Sequence, residues 1–318
     1  MKELTEPSFT IVVPTFNRAP FVKKQLDKLL SSNIHLNNEI LVINDGSKDK
    51  TAEVLSQFNH FQNFKIINHK ENLGLSRNMS FAIRNCKTEY LIWLTDDDIY
   101  HFDIFKKFKK ILSTEKYDSI IPHFQSVEGI RDVKKSRVLT IFDVWKYSKH
   151  ASGLILKTET VVNYLCFLEE RLSKECIVAH FFPQFVLLIN MALDDKLLFA
   201  SSIEVGKQPK NVQNTNLLDK NGNHYLSLYN VTQRYSGFRY FFEDLKSRGK
   251  SKEVQIIKEL QGLSLFSQFY LGLKLNSDID PNKFEASSIL SNLNPKKIIK
   301  AIVMLSKLRI RIFLSKYF

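Results

Sequence analysis

The apolar residues of the N-terminal third come in short, unbroken runs, and each run ends in residues with turn or ligand chemistry. Phe9-Thr-Ile-Val-Val13 is β-rich, is broken by Pro14 and leads through Thr15-Phe-Asn-Arg18 into a helical pattern at Phe21, Gln25-Leu26 and Leu29-Leu30. Glu39-Ile-Leu-Val-Ile43 reads as a second strand, ending in Asn44-Asp45-Gly46-Ser47. Residues 51–58 follow as a helix and Phe64-Lys-Ile-Ile67 as a third strand. After Glu71-Asn-Leu-Gly-Leu-Ser-Arg-Asn78, Phe81, Ala82 and Ile83 mark another helix. The fourth strand, Tyr90-Leu-Ile-Trp-Leu-Thr95, closes on three consecutive aspartates, Asp96, Asp97 and Asp98. Strands alternating with helices at this spacing predict βαβ units, hence an α/β domain on a mostly parallel sheet with helices on both faces. Such sheets bind ligands beyond the carboxyl ends of their strands, where loops and helix N-termini converge. Thr15, Asp45, Arg77 and the Asp triplet all follow strand ends and are expected to line one crevice.

Carboxylates held at the mouth of a core strand repel one another, and need a divalent cation or a network of hydroxyls and amides to share the charge. One aspartate suffices to cap a helix starting near Ile99; three exceed that need. Asp45, before Gly46, can accept a hydrogen bond from a nucleobase N–H, or serve as a turn or cap aspartate beside Ser47, Asp49 and Thr51. Thr15 and Asn17 sit where the first strand turns, positions that also suit an ordinary Pro-x-x-Asn turn. Arg77 is suited to pairing with a diphosphate, or to lying exposed on its helix.

Taken in order, IVVPTFNR, ILVINDGSKDKT, NHKENLGLSRN and YLIWLTDDD resemble the donor half of family 2 inverting glycosyltransferases with the GT-A fold. The likeness covers about residues 9–110, and more faintly 150–200. It implies a GT-A type α/β fold whose mostly parallel nucleotide-binding sheet is flanked by helices. It implies a nucleotide-diphosphate sugar as donor, a UDP-sugar first among them, and Mn2+ or Mg2+ as cofactor. The sugar would pass to an acceptor hydroxyl with inversion. By the same resemblance Pro14, Thr15 and Asn17 lie near the base and ribose, Asp45 meets uracil and Arg77 the diphosphate. Asp96 serves the ribose and the cation, Asp98 holds the cation, and Asp97 between them belongs to the catalytic set. Carboxylates suit a hard cation that also grips diphosphate oxygens and offsets the charge building on the leaving group.

The acceptor half departs from the pattern. Residues 101–117 read as an amphipathic helix, 117–127 as a continuation of the sheet, and 136–150 as a variable, basic acceptor-side loop. Ser152-Gly-Leu-Ile-Leu156 resembles the family's closing strand, which makes Ser152 an acceptor-side candidate. Residues 158–170 and 185–193 are helical by pattern. Family members commonly place Glu-Asp at the start of the latter helix, the Asp being the base that deprotonates the acceptor. Here Pro183-Gln184 stands there, and glutamine cannot act as a base. The segment His180-Phe-Phe-Pro-Gln184 instead resembles abequosyltransferase-like enzymes of bacterial surface-polysaccharide synthesis. His180, one helical turn from Gln184, is then a candidate base of near-neutral pKa, or a packed or capping histidine. Glu175, Asp194 and Asp195 are less well placed alternatives.

With 318 residues the chain can bury a full core, and one α/β domain with a smaller appendage fits it best. The expected divisions are a catalytic domain over 1–205 (donor half about 9–110, acceptor half about 111–205), a polar connection over 206–234, and a helical C-terminal region over 235–318. No segment approaches the ~20 continuous apolar residues of a membrane span, and the N-terminus shows no apolar signal core. The three cysteines have neither CxxC spacing nor obvious metal partners, which points to reduced thiols and a cytoplasmic setting. The net charge is +13, with 46 Lys and Arg against 33 Asp and Glu. It raises nucleic acid, anionic lipid and acidic small molecules as partners. Nucleic acid falls away because no recognised nucleic-acid motif is present and strand-end aspartates repel phosphate. From Pro295 to Phe318 there are seven Lys or Arg residues and no acid. Lys296, Lys300, Lys307 and Arg311 fall largely opposite Ile299, Ile302, Val303, Ile310 and Phe313. That pattern fits a helix lying on an anionic membrane surface at the inner face of the plasma membrane, or one packed on the core with its lysines in water.

The sequence therefore reads as a glycosyltransferase of cell-surface polysaccharide or lipid-linked glycan synthesis, with a glycan or lipid-linked acceptor. Two alternatives stand beside it. A non-catalytic nucleotide-sugar-binding or scaffold protein is favoured by Gln184 and opposed by the intact Asp triplet. A nucleotidyltransferase is disfavoured because Pro14-Thr-Phe-Asn17 lacks the glycines of a phosphate loop.

Overall fold

The computed structural model describes residues 6–125, 131–209, 228–250 and 252–261. The first four strands are those the apolar runs predict: β1 (Phe9–Thr15), β2 (Glu39–Asn44), β3 (Phe64–Asn68) and β4 (Tyr90–Trp93). They pair in parallel in the order β3-β2-β1-β4. Nearly every residue of β1, β2 and β4 is buried, as a sheet covered on both faces requires. The helices between them are α1 (Ala19–Ser31), α2 (Thr51–Ser56) and α3 (Leu75–Asn85). Pro20 sits in the first turn of α1, where its missing N–H is not needed.

Beyond β4 come β5 (Ile99–Tyr100), a short 3-10 turn and α4 (Phe105–Thr114), so the amphipathic helix expected over 101–117 starts later and ends earlier. Then follow β6 (Ser119–Gln125), β7 (Arg137–Val138), α5 (Ile141–Tyr147), β8 (Leu154–Lys157), α6 (Thr158–Val161), α7 (Leu165–Ser173), α8 (Ile177–Phe181), α9 (Pro183–Leu193) and β9 (Leu198–Lys207). The sheet continues from β4 through β8, β6 and β9 to β5, with β7 on β9; β4–β8, β6–β8, β5–β9 and β7–β9 are antiparallel and β6–β9 is parallel. The sequence-based expectation of a loop over 136–150 is corrected. That stretch contains β7 and α5, and α5 is started by a capping box in which Thr140 accepts from Asp143 N–H and the Asp143 carboxylate accepts in return. Its Ile141, Val144 and Tyr147 are buried. The polar connection expected from Gly206 begins inside β9, and residues 210–227 lie outside the described ones.

Helix α9 is buried at all eleven positions, the mark of a helix inside a core rather than on a surface. One core cluster gathers β1, β2, β4 and α1 with Phe102, Phe105, Phe108 and Phe124 from the second half of the sheet. The chain divides into two compact units, Met1–Gln213 and Asn214–Phe318. In the second, α10 (Leu228–Lys246) and a helix over 252–261 are joined by an ion pair between Lys258 and Glu243, and Phe238, Phe241, Phe242, Leu245, Val254 and Ile257 are buried. No described helix is long and apolar enough to cross a membrane. The basic segment 295–318 lies outside the described residues.

Candidate active site

Strands β2 and β3 lie on one side of β1 and β4 on the other, so the chain reverses direction across the sheet at β1. A crevice forms at such a switch point. Here β1 and β4 pair only as far as Val12 and Trp93, while β1 stays with β2 to Thr15. Pro14 therefore removes no ladder bond on the β4 side, and the two chains part where the functional side chains begin.

Thr15 Oγ1 donates to Asp96 Oδ2 at 2.7 Å. Arg18 Nη1 donates to Asp96 Oδ1 at 2.9 Å and to Asp97 Oδ2 at 2.7 Å. Asp96 is buried, with its Thr15 hydroxyl and Arg18 guanidinium partners. Burial pushes its carboxyl up from the ordinary range, and the Arg18 charge with the Thr15 hydrogen bond opposes that. Burial alone would lower Arg18, but the charges of Asp96 and Asp97 outweigh it and leave the guanidinium above its usual value. The sequence motif contains Arg18 without assigning it a task. Its place three residues after Thr15, on the turn into α1, is the signal that it faces the triplet.

Asp98 stands apart from this pair. Its Oδ2 accepts from Thr95 Oγ1 and from Ser152 Oγ, each at 2.5 Å, with the Tyr100 hydroxyl at 3.5 Å. All three fall on Oδ2 and none on Oδ1. Burial raises the carboxyl from 3.8 to about 6 against the Ser152 and Thr95 hydrogen bonds, and the neighbouring Asp97 charge adds to the rise. Ser152 precedes Gly153, whose φ of +73° and N–H donated to Trp93 O at 2.6 Å bring β8 alongside β4. A Cβ at Gly153 would meet Val205 Cγ1 at 2.5 Å, so only glycine lets this turn close. Behind Ser152 lies Arg131, fully buried, with Nη1 donating to His150 O at 3.1 Å and Nη2 to Ser152 O. Its guanidinium lies 5.2 Å from the Phe124 ring centre, and the His150 ring stacks on Phe124 at 4.9 Å. Burial, then the Arg131 charge, pushes the His150 imidazole down to about 3. Nothing in the local sequence singles out Arg131, because its role depends on β6 and β8 meeting.

Asp45 follows β2 and its N–H donates to Thr15 O at 2.9 Å, so it adjoins the crevice. Both its carboxylate oxygens accept backbone amides, Leu73 N–H at 2.7 Å on Oδ1 and Gly74 N–H at 2.9 Å on Oδ2. It thus fastens the 71–74 segment ahead of α3. Gly46, at φ +69°, permits the approach, since a Cβ there would lie 2.3 Å from the Glu71 carbonyl carbon. Asn17, at φ +52°, donates its N–H to Ser47 Oγ at 2.9 Å and accepts from Lys48 N–H at 2.7 Å, tying the end of β1 to the turn after β2. Arg77 is exposed on the first turn of α3.

On the acceptor side, His180 is exposed on α8. Ser76, on the first turn of α3, donates to Ala179 O at 2.5 Å and His180 O at 2.9 Å, so the backbone carrying His180 is bonded to the helix after the 71–74 segment. Gln184 is buried; its Nε2 donates to Lys149 O at 3.1 Å and its Oε1 has no hydrogen-bond partner among the described residues. Lys149 lies over the Trp145 ring at 4.5 Å, and burial lowers its ammonium to about 8.

No group of three or more His, Cys, Asp or Glu side chains is arranged to hold a metal ion among the described residues. The acidic triplet nevertheless fits a divalent cation that takes its other ligands from a diphosphate. Asp98 Oδ1 takes none of the hydrogen bonds that fix Oδ2, and the buried carboxylate, raised to about 6, would be relieved by positive charge.

An α/β sheet with a switch-point crevice, an acidic triplet at the central strand and an antiparallel second half defines a GT-A-like domain. S. aureus TarS 1–349 in complex with UDP-GlcNAc superimposes with a TM-score of 0.61 at 15% identity, over 87% of this chain and 77% of that one. The mannosyltransferase PcManGT from Pyrobaculum calidifontis, in complex with GDP-Man and Mn2+, gives 0.53 at 14% identity over 94% and 84%. The sequence profile of Glycosyl transferase family 2 matches residues 10–196, more than half the chain, and the protein belongs to that family. An uncharacterised glycosyltransferase of Rickettsia typhi is 38% identical over 103 residues, 32% of this chain and 31% of its own length. Glycosyltransferase GlyA of Streptococcus pneumoniae is 26% identical over 123 residues, 39% of this chain and 18% of its own. The matched region thus spans about a third or less of these relatives.

Proposed function

We propose that the protein transfers a sugar from a nucleotide-diphosphate sugar, UDP-linked in the first instance, to an acceptor hydroxyl with inversion. The observation that carries this reading is the partition of the triplet: Asp96 and Asp97 share Arg18, whereas Asp98 keeps one oxygen outside its hydrogen bonds. Family membership and the UDP-GlcNAc and GDP-Man complexes of the structural neighbours support it. In this reading Pro14, Thr15, Asn17 and Asp45 border the base and ribose, with Asp45 acting chiefly by holding the 71–74 backbone in place. Asp98 would hold Mn2+ or Mg2+, while Asp96, whose two oxygens accept from Thr15 and Arg18, would serve the ribose rather than the cation. When bound, the cation would supply the positive charge that stabilises the departing nucleoside diphosphate. Arg18 holds the Asp96 and Asp97 carboxylates in place by a hydrogen bond to each, so the crevice does not rearrange when the donor enters. Arg77, exposed at the N-terminal turn of α3, is free in direction to meet the diphosphate.

His180 is the candidate base, with Gln184 and Ser152 on the acceptor side. What supports His180 is its exposure and the Ser76 link to α3, which keeps α8 beside the donor segment. The acceptor would be a glycan or lipid-linked precursor of a cell-surface polysaccharide, in keeping with the abequosyltransferase-like segment 180–184, and the basic 295–318 segment would hold the enzyme at the cytoplasmic membrane face. The test is a panel of nucleotide sugars assayed for donor hydrolysis and transfer, with and without chelator. Metal-dependent turnover of one donor is expected. Donor binding without any turnover would leave a binding protein in its place.

A further inference from the structure

We propose that Arg131 is a positioning residue for Asp98, acting through the 150–152 turn without touching substrate; this rests on reading Asp98 as the cation-binding carboxylate. Arg131 is fully buried, and among the described residues it makes no ion pair with a carboxylate. A buried guanidinium is costly unless its donors are used, and here two of them go to one turn: Nη1 to His150 O at 3.1 Å and Nη2 to Ser152 O. The planar fork suits two carbonyls two residues apart, which a lysine ammonium cannot match. Phe124 fixes the arrangement from the side, with Arg131 at 5.2 Å and His150 stacked at 4.9 Å. The next residue in the turn, Gly153, is bound to Trp93 O at 2.6 Å. Ser152 is therefore held on both sides, by Arg131 at its carbonyl and by β4 through Gly153. Its hydroxyl reaches Asp98 Oδ2 at 2.5 Å, where Thr95 also donates. Two fixed donors on Oδ2 set the plane of the carboxylate and leave Oδ1 for a ligand. Arg131 thus stands behind Asp98 as an outer partner of the cation site.

The experiment uses the full chain and Mn2+ alone as probe, followed by calorimetry or water-proton relaxation. Asp98→Asn serves as the reference for loss of the site. Arg131→Met and Ser152→Ala should each weaken Mn2+ binding by about 10- to 100-fold, the range typical of outer partners of metal ligands. The double variant should be no weaker than the worse single one, because both remove the same device. Arg131→Lys should not rescue. Additive losses, or unchanged affinity in Arg131→Met, would overturn the proposal. A crystal structure of Arg131→Met gives an arm independent of function: Ser152 Oγ should leave hydrogen-bond distance of Asp98, and its staying there would overturn the proposal. If wild type and Asp98→Asn bind Mn2+ equally, the reading of Asp98 fails, and the crystal arm still decides the positioning. Should Arg131→Met fail to fold, Arg131→Lys carries the same comparisons.

Discussion

Substituting Asp98 by asparagine separates what the site does for stability from what it does for chemistry. Asp98 is 6% exposed and its carboxyl is raised from 3.8 to about 6, burial being the main cause. A raised carboxyl favours the folded state fully below the unfolded value, and that contribution is lost as pH rises through the folded one. Above pH 6 the ionised group therefore opposes folding, by about 3 kcal/mol for a shift of this size. Near pH 5 the penalty is roughly half that. Asparagine keeps a carbonyl oxygen to accept from Ser152 and Thr95 but carries no charge. Metal-free Asp98→Asn should therefore be more stable than wild type at pH 7.5, and the gap should narrow by about half at pH 5. Mn2+ should reverse the order, since a ligand at about 1,000 times its Kd adds about 4.1 kcal/mol to wild type, more than the deficit, and nothing to the variant. Thermal and urea unfolding at pH 5 and 7.5, with Mn2+ or chelator, read both effects. A metal-free variant no more stable than wild type, or a gap that ignores pH, would refute the reasoning about burial. Equal Mn2+ responses would refute the assignment of the cation.

If His180 is the base, His180→Ala should lower transfer by about two to four orders of magnitude while leaving donor affinity nearly unchanged; near-normal transfer would pass the role to another group. Asp45→Ala should leave the Leu73 and Gly74 amides without their acceptor, destabilise the fold by about 1.5–3 kcal/mol per bond to the charged group and raise the donor KM; unchanged melting would contradict that. Arg18→Met should leave the Asp96 carboxylate with only its Thr15 hydrogen bond, remove the charge that opposes its burial and raise the pH at which activity appears, read from a pH profile of kcat/KM. Reversing Lys296, Lys300, Lys307 and Arg311 to Glu should release the protein from anionic vesicles in co-sedimentation, as should raised salt; wild type that never binds vesicles, with a truncation at residue 295 that melts lower, would assign the segment to packing instead.

The order of strands and helices in the donor half was legible because unbroken β-rich runs and helical periods are local signals, and each ended in the polar residues now found at the crevice. The Asp triplet was legible for the same reason: a strand that buries every residue must deliver its next residues to the sheet edge. The α5 helix was misread although Thr140 and Asp143 spell a capping box, because the lysines around it suggested a solvated loop. Asp45 could be placed at a strand end from sequence. That its two oxygens would be taken by backbone amides 28 and 29 residues away could not, since a hydrogen bond across that distance leaves no local pattern. The sequence by itself determined the βαβ frame, a crevice beyond the carboxyl ends of its strands and the residue types at its mouth. Only the tertiary structure divided the triplet, giving Asp96 and Asp97 to Arg18 and Asp98 to Thr95, Ser152 and the turn that Arg131 grips. The reason is physical: which carboxylate is neutralised and which is left for a ligand depends on β1, β4, β6 and β8 meeting, and side chains from four strands meet only after the chain has closed.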